Sequence, residues 1–512
     1  MKILSAEQIR AIDAQTISCE NISSAALMYR ASAAFFRHFL SRHGAYRLKV
    51  NVICGIGNNG GDGITTAQML HRSGFGVKVF IVEFSSNYTA DFRHYYQVAK
   101  EENIDIIRIT ENDPVPDLTD CDIIIDAIFG TGLNRVPQGL SRKVIESVNR
   151  SGKQIVSIDV PSGLMTNRKT EIAVHATETV TLQIPKLALF LPENETFTGE
   201  LSIVHFGLSE KAIAEADTAC YFLTQETIKE NLMPLRKYAH KGTQGHSLII
   251  GGSKGKIGSV CLASRAALKT GCGLVTAYVP QCGTVPLQTA FPEAMVIEDT
   301  QTDHINKITF GIQPDAVGIG PGMGTKQATA DAFHRFLQQN KQPLVIDADG
   351  LNILSKNKAW LSLLTPQTIL TPHPKELSRL IGSWNDDFDK IEKTKNFARR
   401  YDAVVVIKGA HSLIVTPDQL FVNSTGTAAL ATAGTGDVLT GIITGLLAQG
   451  YTPLHAALTG VYMHGATADI TADNIHPKSF TASDIIENIG NVYFRLEQKN
   501  DLTTDYDKKS TL

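Results

Sequence analysis

Three acidic side chains of this sequence lie within or directly beside apolar runs, where a hydrophobic core would otherwise be expected. Asp126 lies within IIIDAIFGTG, Asp159 ends IVSID, and Asp437 follows the loop AGTG at the start of an apolar helical stretch. A partly desolvated carboxyl group can accept or deliver a proton, so each residue is a candidate acid or base. The alternative is that each only caps a loop or a helix end.

A glycine-dense turn, GIGNNGGDG at residues 55–63, joins an apolar run to a helical pattern. Glycines let the backbone approach a ligand closely, and free N–H groups at a helix start attract phosphate. The implied ligand is a nucleotide or dinucleotide. The turn matches neither GxGxxG nor GxxxxGK[ST], so a tight turn without a ligand stays open as the alternative.

A second glycine loop lies within residues 423–450, where Gly434 and Gly436 precede a helix. Its backbone N–H groups suit a transferring phosphoryl group, and Asp437 is placed to take a proton from the attacking hydroxyl. The apolar residues that follow are expected to recur on one helical face. They are Val438, Leu439, Ile442, Ile443, Leu446 and Leu447.

Polar residues also follow other apolar runs of the second half. Lys408 and Gly409 end one such run and could form the rim of an adenine-nucleotide site. His373 lies between two prolines in a stiff loop, which favours a ligand contact over a structural role. The remaining residues of this kind are Asp347, Asp349 and Glu376.

The elements that must position these residues alternate between short β-branched strands and helices, which is typical of parallel sheets with helices on both faces. The predicted strands are residues 49–54, 77–82, 122–128, 154–158 and 179–184, then 247–250, 274–279, 316–319, 344–346, 368–370 and 404–407. Ligands of such sheets bind outside the carboxyl ends of the strands. We therefore expect Asn59, Asp126, Asp159 and Ser162 to converge.

A length of 512 residues predicts at least two domains. We place the boundary near residue 225, in a polar, basic segment, which gives domains at 1–224 and 225–497 and a polar tail at 498–512. We expect the fold class to be α/β with two three-layer αβα domains, the N-terminal one Rossmann-like.

The composition excludes several classes of protein. The 48 Lys and Arg residues against 51 Asp and Glu give a formal charge of −3, which disfavours nucleic-acid binding. No apolar stretch reaches the ~18 residues of a membrane span. Seven cysteines without CxxC spacing are typical of reduced thiols. We expect a cytoplasmic homo-oligomer that contacts neither nucleic acid nor membranes.

NNGGDG, DAIFGTG and DVPSG, in this order and spacing, resemble the NAD(P)H-hydrate epimerase family over about residues 1–220. The resemblance implies that Asp159 is catalytic at the reacting ring, and that potassium is held by Asn59, Asp126 and Ser162. It also implies substrate contacts from Asn58, Asn59, Gly60, Gly61, Asp62, Gly130, Thr131, Gly132, Leu133, Asn134, Arg135, Val136 and Asp159.

KGTQGHSLIIGGS, GPGMG, TPHPKE, KGAHS and AGTGDVLTG resemble the ribokinase-like, ADP- or ATP-dependent NAD(P)H-hydrate dehydratases over about residues 225–495. The resemblance implies that Asp437 is catalytic and meets the substrate together with Gly322 and His373. It implies nucleotide contacts from Lys408, Gly409, Ala410, His411, Ser412 and Gly436, with magnesium beside ADP. The chain departs from the family pattern at Ser259, Val260, Thr427 and Ala433.

The two resemblances together predict a bifunctional repair enzyme. It would interconvert the R and S forms of hydrated NADH and NADPH, then phosphorylate and dehydrate the S form, with ADP giving AMP and phosphate. A ribokinase-like kinase of a vitamin or small alcohol, with an N-terminal nucleotide-binding module, is one alternative. A first half that binds nucleotides without catalysis is the other.

Overall fold

The computed structural model describes residues 1–44, 48–115 and 117–498, so most of the predicted polar tail lies outside the described residues. The chain folds into two compact units. The first comprises Met1–Cys220 with Asp386–Phe388, and the second comprises Tyr221–Asn385 and the chain from Asp389 onward.

The first unit contains a parallel sheet with strand order β3-β2-β1-β4-β5-β6-β7 among its described residues. The strands are β1 Lys49–Cys54, β2 Gly76–Val82, β3 Asp105–Ile109, β4 Ile123–Ala127, β5 Gln154–Ile158, β6 Glu178–Leu182 and β7 Glu200–Val204. The helices are α1 Ala6–Glu20, α2 Ser24–His43, α3 Asn58–Arg72, α4 Ala90–Glu101, α5 Gly139–Arg150, α6 Glu195–Thr198 and α7 Glu210–Glu215.

Helices cover both faces of this sheet. Val50 and Val52 of β1 pack in a core with α2, α3 and α4, while Ile53 of the same strand packs in a second core with α5. This alternation follows the two-residue period of a strand. The strand order reverses between β1 and β4, and such a reversal leaves a crevice at the carboxyl ends of the two strands.

The second unit contains a sheet of order β11-β10-β9-β12-β13-β14-β15-β16-β17-β8 among its described residues. The strands are β8 Cys220–Phe222, β9 His246–Ile250, β10 Leu274–Val279, β11 Met295–Glu298, β12 Ala316–Ile319, β13 Leu344–Ile346, β14 Thr368–Leu370, β15 Ala403–Ile407, β16 Leu413–Val415 and β17 Leu420–Val422. The sheet is parallel from β11 to β15, and β16 pairs antiparallel with β15 and β17.

The helices of the second unit are α8 Gln225–Asn231, α9 Ile257–Lys269, α10 Thr284–Ala290, α11 Gln327–Gln339, α12 Ala348–Lys356, α13 Pro374–Ile381, α14 Asp387–Tyr401, α15 Thr435–Ala448, α16 Pro453–Ile470 and α17 Ala482–Glu497. Helices α9 and α15 pack together and against the sheet, and α16 and α17 pack on them.

Helix α15 differs from the sequence prediction of one apolar face. Every residue from Val438 to Ala448 is buried, because α9, α16 and the sheet surround the helix. Glycines make this packing possible. A Cβ on Gly441 would lie 2.0 Å from the carbonyl oxygen of Ala263, and a Cβ on Gly445 would lie 2.4 Å from Thr270 Oγ1.

All seven cysteines lie in the described part of the chain, and all are free thiols. Within the same residues, no helix combines the length and apolar character needed to cross a membrane.

Candidate active sites

A cavity of about 510 Å³ in the first unit opens at the carboxyl ends of β1 and β4. The start of α3 lines it with Asn58, Asn59 and Asp62, and the loop after β4 lines it with residues 128–135. These two segments are in close contact, because a Cβ on Gly130 would lie 3.3 Å from Asn59 Oδ1. The cavity therefore occupies the crevice where the strand order reverses.

Asp159 follows β5 and lies in the cavity wall with 8% of its surface exposed. Its φ of 70° is a left-handed conformation that non-glycine residues seldom adopt. Lys186, which is 3% exposed, donates a hydrogen bond to Asp159 Oδ1 and another to Thr181 Oγ1 over 3.0 Å. The carboxyl group is thus held at the cavity by a buried ammonium group.

Three further carboxyl groups line the same cavity, Asp13 from α1, Asp62 from α3 and Asp91 from α4. Burial, with the nearby Asp159, raises the pKa of Asp13 to about 6. Burial also raises the pKa of Asp62 well above its ordinary value, and Asp159 adds to this effect. Ser32 donates to Asp62 Oδ1 over 3.2 Å. The cavity therefore holds a carboxyl group, Asp13, that exchanges protons near neutral pH.

Asp126 and Ser162 lie beneath the loop after β4 rather than on the cavity lining. Asp126 is fully buried, and its Oδ2 accepts hydrogen bonds of 2.8 Å from Ser157 Oγ and from the Ser162 backbone N–H. Ser162 Oγ accepts from the backbone N–H groups of Ile128 and Phe129. Both residues fix the shape of this loop.

The structure separates the predicted contact residues of the first unit into two groups. The cavity lining includes Asn58, Asn59, Asp62, Gly130, Thr131, Gly132, Leu133, Asn134, Arg135 and Asp159. Gly60, Gly61 and Val136 are not on this lining. A Cβ on Gly60 would lie 1.9 Å from the Gly55 carbonyl oxygen, so this glycine serves the close packing of the turn.

In the second unit, α15 begins at Gly434, whose φ of 86° is left-handed. Asp437 lies in the first turn, where Ser259 of α9 donates a hydrogen bond to its carboxyl group. Burial raises the pKa of Asp437 to about 6, and Asp347 contributes to the rise. The carboxyl group thus combines the charge and position of a general base.

Lys408, which follows the end of β15, lies beside the start of helix α15. Its Nζ lies 2.8 Å from Asp347 Oδ1, and a Cβ on Gly436 would lie 3.4 Å from Nζ. Thr440 of α15 donates to Asp347 Oδ2 over 2.8 Å. A buried carboxylate, an ammonium group and a glycine backbone therefore meet at the start of α15.

His373 caps α13, since its Nδ1 accepts from the backbone N–H groups of Lys375 and Glu376 over 3.1 and 3.4 Å. Burial lowers the pKa of His373, and the charge of Lys408 lowers it further. Because Nδ1 is an acceptor here, the neutral ring carries its proton on Nε2. The side chain was predicted as a ligand contact, and Nε2, which lies 3.4 Å from Glu376 Oε1, is the ring nitrogen that the cap does not use.

Gly322 closes the turn after β12, where a Cβ would lie 2.6 Å from the Lys256 carbonyl oxygen and 3.2 Å from Ser259 Cβ. Because Ser259 also contacts Asp437, Gly322 and Asp437 belong to one group of residues. The segment from Lys408 to Ser412 turns beside β17, where Ser412 Oγ accepts from the Gly409 N–H. Burial lowers the pKa of His411.

The sequence did not predict a functional role for Asp13 or Lys186. It also did not predict that His464 holds the glycine loop at the start of α15. Burial lowers the pKa of His464 to about 4, and its Nε2 lies 2.9 Å from the Thr435 carbonyl oxygen. A single histidine within a helical sequence pattern gives no signal from which this contact could be predicted. For Asp13 a signal exists, because it interrupts the apolar face that Ile9 and Ile17 form on α1 at four-residue spacing.

Comparison with known proteins matches both halves. A family model described as NAD(P)H-hydrate dehydratase matches residues 247–491, and one described as YjeF-related protein N-terminus matches residues 24–188. The bifunctional NAD(P)H-hydrate repair enzyme of Moorella thermoacetica is 33% identical over 520 residues, which cover 98% of this chain and 98% of that protein. The chain belongs to this family of bifunctional NAD(P)H-hydrate repair enzymes.

A second member of the repair-enzyme family, from Escherichia coli, is 31% identical over 489 residues, covering 94% of this chain and 92% of that protein. A solved ribokinase-like superfamily protein from Enterococcus faecalis shares 24% identity with a TM-score of 0.50, and covers 56% of this chain and 99% of its own. That likeness concerns the fold alone. The α/β class with two domains, the second ribokinase-like, is confirmed.

Proposed function

We propose that this member of the repair-enzyme family restores hydrated NADH and NADPH in two steps. The domain at 1–224 epimerises the hydrated ring, and the domain at 225–497 uses ADP to dehydrate the S epimer. The observation that carries the proposal is a pair of carboxyl groups, the buried Asp159 and the partly buried Asp437, each at the carboxyl ends of parallel strands. A kinase that only transfers one phosphoryl group would need Asp437 but not Asp159.

In the first unit, the N-terminus of α3 supports binding of the dinucleotide phosphates. Asn58 and Asn59, the first two residues of α3, line the cavity, and a helix start favours anions. The loop at residues 130–135 closes the opposite side. The hydrated ring then lies at Asp159, which accepts or returns the proton of its hydroxyl group.

In the second unit, Asp437 takes the proton of the ring hydroxyl as the hydroxyl oxygen attacks the β-phosphorus of ADP, and AMP leaves. The N–H groups at the start of α15 and the Lys408 ammonium stabilise the charge on the transferring phosphoryl group. The C–O bond of the phosphorylated ring then breaks with its electrons on phosphate. Loss of a proton from the neighbouring carbon restores the dihydronicotinamide.

A monovalent cation, which we propose to be potassium, fits the donor set of the first unit. Asp126 is fully buried, and among the described residues its hydrogen bonds come only from hydroxyl and backbone groups. Burial raises its pKa, so a cation beside it would hold it ionised. The side-chain oxygens of Asn59, Asp126 and Ser162 are hard ligands that suit such an ion.

When bound, this cation supplies positive charge that offsets the buried carboxylate and attracts the substrate's phosphate groups. We propose magnesium for the second unit, where it would arrive with the nucleotide phosphates, since these ions are held largely by phosphates and water. Assembly as a homo-oligomer and a cytoplasmic location stay predictions.

The test incubates the full chain with mixed epimers of hydrated NADH or NADPH and either ADP or ATP. The expected result is complete recovery of dihydronicotinamide absorbance with ADP, and release of phosphate and AMP in equal amounts. If the absorbance stops rising when one epimer has been consumed, the proposed epimerase activity is refuted. Stable phosphate transfer to hydroxymethylpyrimidine or hydroxyethylthiazole, without recovery, would favour the kinase alternative.

A further inference from the structure

Epimerisation of a carbon that bears a hydroxyl group can proceed by loss and re-addition of water, and this route needs proton transfer on both faces of the ring. The C–O bond breaks with its electrons on oxygen, while an acid protonates that oxygen and the ring nitrogen stabilises the cation. Water then adds to the opposite face and gives a proton to a base. Since Asp159 can serve only one face, a second group must serve the other. This reasoning rests on the epimerase activity proposed above.

Lys186 is not that second group, because its three N–H donors are already committed. They go to Asp159 Oδ1, to Thr181 Oγ1 over 3.0 Å and to the Leu182 carbonyl oxygen over 3.3 Å. Lys186 instead positions Asp159. It donates a hydrogen bond to Oδ1, and the Leu182 N–H donates to the same oxygen over 3.4 Å. The other carboxyl oxygen of Asp159, Oδ2, is therefore available to a ligand in the cavity.

The other charged side chains that line the cavity come from α1, α3, α4 and the loop after β4. They are Arg10, Asp13, Asp62, Asp91 and Arg135. Arginines do not release protons near neutral pH. Asp91 accepts a hydrogen bond of 2.8 Å from Ser24 Oγ, and Asp62 is buried within α3 and bonded to Ser32.

Asp13 differs from these carboxyl groups in position and in freedom. It lies between Ile9 and Ile17 on the face of α1 that lines the cavity. Its carboxyl oxygens accept no hydrogen bond from the described residues, so both can meet a ligand. The charges of Asp159 and Lys186 both act on it, which places it near that ion pair.

We propose that Asp13 is the second catalytic residue of the epimerase, acting on the ring face opposite Asp159. Asp13 protonates the departing hydroxyl group of one epimer, and Asp159 takes the proton of the water that adds to the other face. In the reverse direction the two carboxyl groups exchange roles, so the pair holds one proton throughout. The raised pKa of Asp13, about 6, gives it a substantial protonated fraction near neutral pH.

The test follows the relaxation of one pure epimer of hydrated NADH to the mixture, by chromatography and without ADP, in the full chain. D13N is expected to lower kcat at least ~100-fold above the uncatalysed background, with little change in KM. E20Q, a carboxyl-to-amide change at the exposed end of α1, is the matched control and should retain full activity.

D13A provides a second, independent measurement through chemical rescue. Formate supplies a small carboxyl group, and it should restore part of the D13A rate in proportion to its concentration while leaving D159N unrescued. A wild-type chain that does not epimerise would contradict the proposed function itself. An active wild type with equally active D13N, or loss of activity in D62N together with normal D13N, would overturn the inference.

Discussion

At the scale of single residues, both units place carboxyl groups in environments that suit proton transfer. Asp437 and Asp13 are partly buried, and burial raises the pKa of each to about 6. Asp159 is instead held by a buried lysine, Lys186. Burial makes a carboxylate a stronger base, whereas the ammonium group of Lys186 fixes the position of the Asp159 carboxyl group, so the two arrangements suit different steps.

The pH dependence of the dehydratase follows from Asp437. Because Asp437 must be ionised to act as a base, and burial raises its pKa to about 6, activity is lost as pH falls through that value. Below about pH 6, kcat with ADP should decrease about tenfold for each pH unit. S259A removes a hydrogen bond that lowers this pKa, so its acidic limb should lie at higher pH than that of the wild type.

The measurement is the rate of dihydronicotinamide recovery from the S epimer between about pH 5 and 8, a range that extends about one unit below and two units above the expected midpoint. D437N should lose at least ~100-fold at every pH. An unchanged acidic limb in S259A, or a wild-type rate that is flat through pH 6, would show that Asp437 does not set the profile.

The ion pair of Lys408 with Asp347 is also expected to stabilise the second unit. Asp347 retains only 2% of its side-chain exposure, and K408M would leave that carboxylate buried without its cation. The expected loss is about 3 kcal/mol. D347N/K408M should recover part of the loss, because the uncompensated charge is removed as well.

Urea unfolding followed by tryptophan fluorescence measures this change, because both tryptophans, Trp360 and Trp384, lie in the second unit. K395M is the matched control. Its partner Glu392 is 65% exposed, so the loss should stay within about 1 kcal/mol. A K408M variant as stable as K395M would contradict the expected role of the pair.

Part of each site could be predicted from the sequence, because some of its residues are unusual in their local sequence context. Asp126, Asp159 and Asp437 are visible because a charge within an apolar strand or beside glycines is unusual. The contact between Lys186 and Asp159 joins residues 27 positions apart and depends on a loop conformation. No local pattern reveals it.

At the scale of elements, the sequence predicted the buried strands closely, since β1, β5, β10, β12, β13 and β14 have the bounds expected from their β-branched runs. Strands β3, β7, β8, β11, β16 and β17 were missed. Four of these, β3, β7, β8 and β11, are partly exposed, which breaks the apolar run, and the other two have only three residues each.

The close approach of α9 and α15 depends on small residues along α15. G441A would place a Cβ 2.0 Å from the Ala263 carbonyl oxygen, and backbone cannot move aside cheaply. We expect the second unit to lose about 3 kcal/mol of stability, measured by urea unfolding with tryptophan fluorescence. The start of α15 should also shift, which lowers dehydratase activity.

G490A is the matched control on α17, where an added Cβ meets nothing within 4 Å. Because alanine has the higher helix propensity, this variant should gain about 0.5–1 kcal/mol. Equal stabilities for the two variants would show that the glycine of α15 is not needed for packing.

At the scale of the whole molecule, each unit builds its own site from its own residues. The cavity of the first unit is lined by residues between Ile9 and Leu208, and the residues that interact with the Asp437 carboxyl group lie between Ser259 and Lys408. Each unit also has its own sheet and hydrophobic core. The two activities are therefore expected to be separable by mutation.

This separation predicts complementation between two chains that each lack one of the two activities. D159N should dehydrate the S epimer and stop, while D437N should interconvert the epimers without restoring any dihydronicotinamide. Mixed in equal amounts with ADP, the two variants should convert both epimers completely, because the epimer made by one chain reaches the other through solvent. The measurement is the final absorbance of the mixture against that of the wild type. An end point that stays at the level of D159N alone would mean that an epimer formed in one chain is not available to another, and that the two sites act only within the same molecule or assembly.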